Sequence, residues 1–321
     1  MTKTKDQPLF LGMDFDEALE RLARVNTKDI DAAIESEPHE TDAPPGIATP
    51  FIKWVGGKRS LMDTLLLKMP ETFRDYHEPF VGGGALFFEL VGRKRLRAAH
   101  LSDTNLDLVF AYTVIKKDPT ALIEALKVHA AKHSDTLEGT GEYYYKVRAK
   151  TKLTEPVDIA ARFIYMNKTG YNGLYRVNSK GEFNVPVGRY KNPGIVQESN
   201  IWACHEVLKV ADIEHGEFDT IKPQRGDFVY FDPPYHPKDE TSFTKYSKLD
   251  FSEQDQVRLR DFVVKLHKSG VKVMLSNSDT LFIKDLYKSN MFKIAIVQAP
   301  RFVNCKSNKR NAVDEVLITN Y

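Results

Sequence analysis

The chain has 321 residues, 42% hydrophobic and 28% charged, enough for one α/β domain with an insertion or for two domains. No apolar run approaches the roughly 18 residues of a membrane span, the start Met1-Thr2-Lys3-Thr4-Lys5-Asp6 lacks an apolar signal core, and Cys204 and Cys305 have no metal-ligand spacing, so a metal-free protein of the reducing cytoplasm is expected. Residues 1–48 hold five Lys/Arg against eleven Asp/Glu, a net of −6, and the rest 41 against 33, a net of +8, which fits a polyanionic partner or an ordinary, mildly basic surface.

Residues 1–48 read as an appendage. Leu19, Leu22 and Ala23 suit a short amphipathic helix over Phe15–Val25, and the acidic, Pro-rich stretch 35–50 reads as a linker. From Phe51 the pattern changes. Phe51-Ile52-Lys53-Trp54-Val55-Gly56-Gly57-Lys58 is either a turn with solvated lysines or a site. In the second case Lys58 holds a carboxylate and Trp54 offers an apolar surface to a cofactor. Strands are predicted over Tyr76–Val81 and Ala98–Ser102, and helices over Ala85–Gly92 and Leu106–Lys116. Between about Thr120 and Gln224 the alternation fails. Helices over Thr120–His133 and Val157–Asn167, with a Gly-, Asn-, Tyr-, Arg- and Lys-rich stretch at 169–200, suggest an inserted helical subdomain carrying an exposed polar hairpin.

The alternation resumes with a strand over Phe228–Phe231, a helix over Ser252–Lys268 and a strand over Val271–Leu275. A short helix near Leu281–Lys288 precedes two last strands, Lys293–Gln298 and Glu315–Thr319. No helix separates these two, so they should pair as an antiparallel hairpin. The fold class expected is α/β, a doubly wound, mostly parallel sheet. Its domain is expected over 49–119 and 225–321, with 120–224 as the insertion.

Two motifs carry chemistry. Glu78-Pro79-Phe80-Val81-Gly82-Gly83-Gly84 lies between a strand and a helix, where glycines let a ligand approach the backbone. The next strand ends at Asp103, 21 residues after Gly82, the distance at which an acid bonds ribose hydroxyls. The spacing is not G-x-G-x-x-G, which argues against a dinucleotide and for a nucleoside without phosphate, such as S-adenosylmethionine.

The second motif, Asp232-Pro233-Pro234-Tyr235, comes directly after the apolar run Phe228–Phe231. Proline cannot donate to a ladder, so the strand stops there. The tetrapeptide is either a simple turn or a stiff set of acceptors beside an aromatic plate. The second suits a flat heterocycle with an exocyclic amine.

Lys-Trp-Val-Gly-Gly-Lys, Pro-Phe-Val-Gly-Gly-Gly and Asp-Pro-Pro-Tyr in this order, with a long insertion before the last, resemble the Dam family of DNA adenine-N6 methyltransferases (α-group, D12 class). The resemblance runs from about Phe51 to Tyr321 and includes the segments 167–176 and 181–190. It implies a Rossmann-like methyltransferase sheet with an inserted target-recognition subdomain, S-adenosyl-L-methionine as methyl donor and double-stranded DNA as substrate. Trp54, Lys58, Pro79, Phe80, Gly82, Gly84, Asp103 and Asp232 would then lie at the cofactor. Asp232, Pro233, Pro234 and Tyr235 would form the catalytic motif, with Tyr235 stacked on a flipped adenine.

The same resemblance gives Lys53, Leu174, Arg176 and Pro186 to base reading. Tyr171 and Asn172 would enter the space left by the flipped base, Asn178, Asn184 and Arg189 would hold phosphates, and Tyr190 would lie on the same DNA-binding face. GATC is the implied target, with a longer site such as GATATC, an RNA substrate or an inactive DNA-binding relative as alternatives. The activity this implies is adenine-specific DNA methylation, EC 2.1.1.72, and a cytoplasmic monomer with no metal, no membrane contact and no obligate protein partner is expected. The loop Pro300–Arg310 lacks the Arg-Ser-Ile-Ser type of run expected after the sixth strand, and the acidic N-terminal segment has no counterpart in compact family members.

Overall fold

The computed structural model describes residues 46–134, 141–190, 192–238, 251–299 and 313–321. The expected helix at Phe15–Val25 and the loop Pro300–Arg310 lie outside the described residues. In chain order the elements are α1 Met62–Lys68, β1 Tyr76–Glu78, α2 Ala85–Gly92, β2 Ala99–Asp103, α3 Leu106–Lys117, α4 Pro119–Ser134, α5 Glu142–Arg148, α6 Pro156–Thr169 and α7 Glu198–Leu208. Then come β3 Ala211–His215, β4 Phe228–Phe231, α8 Glu253–Lys268, β5 Lys272–Ser278, α9 Leu281–Leu286, β6 Lys293–Ala299 and β7 Val313–Thr319. They form two compact units, one from the described residues of Met1–Gly56 and Asn105–Lys209, the other from those of Gly57–Thr104 and Val210–Tyr321.

The second unit is a sheet in the order β3-β2-β1-β4-β5-β7-β6. β1 pairs in parallel with β2 and β4, β2 with β3, and β4 with β5. β7 runs antiparallel between β5 and β6. The fold is therefore Rossmann-like α/β with an antiparallel terminal hairpin, as the helix-free connection predicted. All four residues of β4 are buried, the continuous apolar run of a strand covered on both faces. α8 packs its Leu259, Val263 and Leu266 on Val229, Phe231, Val273 and Leu275 of the sheet. Ser252 and Asp255 form a reciprocal capping box that sets its start.

Three expectations about strands change. The strand predicted over Tyr76–Val81 stops at Glu78, because Pro79 has no N–H for the ladder. β5 continues past Leu275 through Ser276, Asn277 and Ser278, all buried, since each finds a side-chain or backbone partner. β3 was not expected. It lies within the stretch read as a helical insertion, at the sheet edge, with mostly exposed polar residues that hide the strand pattern.

The first unit is helical. α3, expected with the sheet, groups here and is buried from Leu106 to Ile115 except for Asp107; a helix apolar on every side is buried on every side. Asn105 caps it, accepting from the Leu108 N–H at 3.1 Å. α6 is likewise buried, and Tyr112, Tyr144 and Tyr165 are among the unit's largest fully buried side chains. The expected linker is tied down at its end, where Thr49 donates its N–H to Asn200 Oδ1 at 2.9 Å. The stretch expected as a hairpin makes two antiparallel bridges, Gly170–Val187 and Val177–Phe183. Among the described residues no helix is long and apolar enough to cross a membrane.

Candidate functional site

The strand order reverses between β1 and β4. From β1 the chain continues to β2 and β3 on one side, and from β4 to β5 on the other. Open α/β sheets bind ligands at the carboxyl ends of the strands flanking such a point. The glycine motif leaves β1 there, and Asp232–Tyr235 leaves β4 there.

The glycine loop is tied to the end of β2. The Val81 N–H donates to the Ser102 carbonyl at 3.1 Å, and the Gly82 N–H to Asp103 Oδ2 at 3.1 Å. Gly82 and Gly84 have φ of 47° and 64°, a left-handed backbone that excludes most side chains. Asp103 thus meets the loop backbone itself. Phe80 leaves the loop on the apolar side, stacked on Phe218 with centroids 5.5 Å apart, and Pro79 is buried.

Beneath the loop, Glu78 is 3% exposed. Burial pushes its carboxyl up to about 8, and the Asp232 charge adds to this against the Tyr76 hydroxyl, the Phe87 N–H and Lys58. The Tyr76 hydroxyl donates to Oε2 at 2.9 Å. At neutral pH Glu78 therefore carries its proton.

Lys58 and Asp232 form an ion pair of 2.8 Å, with side chains only 7% and 20% exposed. Burial raises the Asp232 pKa and Lys58 opposes the rise. The carboxylate that Lys58 holds is thus that of Asp232. The same ammonium lies over the Tyr235 ring, 4.8 Å from its centroid. The Tyr235 hydroxyl donates to Glu315 Oε2 of β7 at 2.7 Å.

The turn after Asp232 is braced from behind. Gln256 Nε2 donates to the Pro234 carbonyl at 2.9 Å, and Asn277 Nδ2 to Gln256 Oε1 at 3.0 Å. Asn277 Oδ1 accepts from the His236 N–H at 3.0 Å, and the Ser278 hydroxyl donates to the His236 carbonyl. These buried groups satisfy one another.

The remaining expected site residues lie in the helical unit. Asn167, 1% exposed, accepts from the Lys53 N–H at 2.9 Å and donates to the carbonyls of Lys53 at 2.7 Å and Gly173 at 3.0 Å. This clamps Lys53 to the start of the 169–200 stretch. Gly173 has φ +64°, and a Cβ there would come within 2.6 Å of the Lys53 side chain. Lys53 Nζ lies 4.4 Å from the Tyr190 ring centroid. Trp54 stacks on Tyr175 at 6.0 Å and packs against Phe163.

Tyr171 is 44% exposed. Asn172 is exposed with φ 55°, a backbone that asparagine tolerates better than most residues. Tyr144 donates to the carbonyls of Val185 and Pro186, fixing the returning chain. Leu174 is half-buried, while Pro186 and Arg189 are exposed. Arg176 donates through Nε to Asn184 Oδ1 at 2.7 Å, so Asn184 orients the guanidinium. Asn178 bonds Glu182 and the N–H of Lys180, closing the turn.

The family model for D12 class N6 adenine-specific DNA methyltransferase matches residues 54–302. The chain belongs to this family. It is 45% identical over 283 residues to the Type II methyltransferase M1.LlaDCHI of Lactococcus lactis subsp. cremoris, covering 85% of this chain and 95% of the relative. It is also 45% identical over 287 residues to the Type II methyltransferase M.MjaIII of Methanocaldococcus jannaschii, covering 85% and 99%. A DNA adenine methylase of Vibrio cholerae is 34% identical over 272 residues, covering 83% and 94%.

Within this D12-class chain the sequence reading missed Glu78, Asn167, Gln256, Asn277 and Glu315. An acid at the head of the Glu78–Gly84 glycine motif was the available signal for Glu78. The polar run Ser276-Asn277-Ser278 closing a strand was the signal for Asn277. Nothing local marks Gln256 or Glu315, whose partners are 22 and 80 residues away.

Proposed function

We propose that the protein transfers a methyl group from S-adenosyl-L-methionine to N6 of an adenine flipped out of duplex DNA, within GATC (EC 2.1.1.72). The observation that carries this reading is the grouping of Lys58, Asp232 and Tyr235 at the reversal of strand order. An adenine amine is a poor nucleophile because its lone pair is delocalised into the ring. The Asp232 carboxylate and the Pro233 carbonyl would accept its two N–H bonds and return the pair to nitrogen. Such acceptors act best when held before the reaction, and the Gln256–Asn277 brace holds this turn. Lys58 takes one face of the Tyr235 ring, which leaves the other as the platform for the base.

The cofactor site fits the donor. Backbone in a left-handed turn, buried Pro79, aromatic Phe80 and the Asp103 carboxylate suit a nucleoside with no phosphate to cradle. Bound there, S-adenosylmethionine would supply a methyl group already activated on a sulfonium, so the protein's task is positioning. With Glu78 neutral, Asp232 is the anion beside Lys58.

The stretch 169–200 is proposed as the DNA reader within a target-recognition subdomain built on the helical unit, with the sheet unit, β3 included, as the methyltransferase domain. Exposed Tyr171 and Asn172 would fill the gap left by the flipped base, offsetting an unstacking cost of a few kcal/mol. Arg176, aimed by Asn184, suits bidentate reading of guanine. We take the protein to act as a cytoplasmic monomer.

Incubation with labelled S-adenosylmethionine and duplexes carrying GATC, GATATC or neither tests the reading. Label is expected in GATC duplexes alone, and in none with Asp232→Ala, whose duplex affinity stays within about threefold. Normal turnover by Asp232→Ala would remove Asp232 from the site.

A further inference from the structure

β7 is inserted antiparallel between β5 and β6. Its first residues therefore stand at the carboxyl ends of the parallel strands. Glu315 lies opposite Ser278 of β5 and Val297 of β6. That register places its carboxylate 2.7 Å from the hydroxyl of Tyr235. In a parallel β7 the end of the strand, near Thr319, would stand there instead.

An O–H donated to a carboxylate at this distance is among the stronger hydrogen bonds in proteins. It also has an electrostatic cost, because Glu315 adds to the burial that raises the Asp232 pKa, against Lys58. A neutral acceptor would satisfy the hydroxyl without that cost. The tyrosine ring is thus held at both ends: its backbone comes after two prolines braced by Gln256, and its hydroxyl is tied to a strand at the centre of the hairpin pairing. The Lys58 ammonium covers one face.

We propose that Glu315 is a positioning residue that fixes the plane of Tyr235 as the stacking platform for the target base. This rests on reading Asp232–Tyr235 as the adenine site. Ring and base otherwise lose freedom at the moment of binding, and a platform fixed in advance removes that loss from the reaction. Glu315 acts on the platform through Tyr235, and its charge also reaches Asp232, whose pKa it raises.

The test compares Glu315→Ala, Glu315→Gln, Tyr235→Phe and Glu315→Ala/Tyr235→Phe in single-turnover methylation of a GATC duplex. Fluorescence of 2-aminopurine at the target position is the second readout. Glu315→Ala should slow transfer by about 10- to 100-fold, the equivalent of one hydrogen bond to a charged acceptor. KM for S-adenosylmethionine should stay within about twofold, and 2-aminopurine, dim when stacked in the free duplex, should brighten more on binding than with the wild-type protein, whose fixed ring quenches the flipped base. Glu315→Gln keeps an acceptor and should recover most of the rate. The double variant should be no slower than Tyr235→Phe alone, because the hydroxyl that Glu315 holds is already gone there.

Wild-type rate in Glu315→Ala, losses that add in the double variant, or unchanged quenching with no recovery by Gln would each overturn the inference while the proposed reaction stands. A wild-type protein that methylates no duplex would overturn the reaction, and the inference with it.

Discussion

Replacing Glu78 by Gln should stabilise the protein, and by an amount that grows with pH. The unfolded chain releases the Glu78 proton near the ordinary value of 4.5, while burial holds the folded carboxyl at about 8. Between these values the folded state binds one proton more than the unfolded state, so stability falls as pH rises, by about 1.4 kcal/mol per pH unit. At pH 7 the cost from this one group is about 3 kcal/mol, and above pH 8 it levels off near about 5 kcal/mol. Glutamine has nearly the same shape, keeps an oxygen for the Tyr76 hydroxyl and carries no charge to desolvate.

Urea unfolding of both proteins from about pH 5 to about pH 9 measures the difference directly. Titrating groups that do not interact with Glu78 are common to both and cancel. The variant should gain little at the acid end and its full advantage at the alkaline end. A difference constant across the range would show that Glu78 ionises normally in the fold, and the neutral carboxyl beside Asp232 would have to be abandoned.

Asn167→Ala removes one acceptor and two donated bonds from a group 1% exposed. It should cost about 2–5 kcal/mol in urea unfolding and weaken duplex binding by releasing Lys53 from Gly173; an unchanged midpoint would refute the clamp. Arg176→Ala should lose about 1–3 kcal/mol of discrimination at one base pair, read as relative rates on singly substituted duplexes. Equal weakening on every sequence would make Arg176 a phosphate contact.

The alternation of β and α patterns was legible because strands buried on both faces are short apolar runs and because Pro233 must end one of them, whereas the first strand was expected to run past Pro79 to Val81 and stops at Glu78. The helices over Ala85–Gly92, Leu106–Lys116 and Ser252–Lys268 were legible for similarly local reasons. β3 was not, since an edge strand with polar residues carries no such pattern. Nor were the partners of Asn178 and Asn184. The resemblance implies phosphate contacts for both, and the fold pairs their side chains with Glu182 and Arg176.

Sequence alone determined the ingredients of the candidate site: a glycine turn after one strand, and an acid, two prolines and a tyrosine after another. Their chemistry is local, set by φ, by missing N–H groups and by side-chain type. Only the tertiary structure decided that these two turns leave neighbouring strands at a reversal of strand order. It also decided that Glu78 is buried deeply enough to stay protonated, and that an antiparallel last strand carries Glu315 to Tyr235. Strand order and register are set by packing across the whole sheet, and desolvation by what surrounds a group on every side. No window of adjacent residues contains that information.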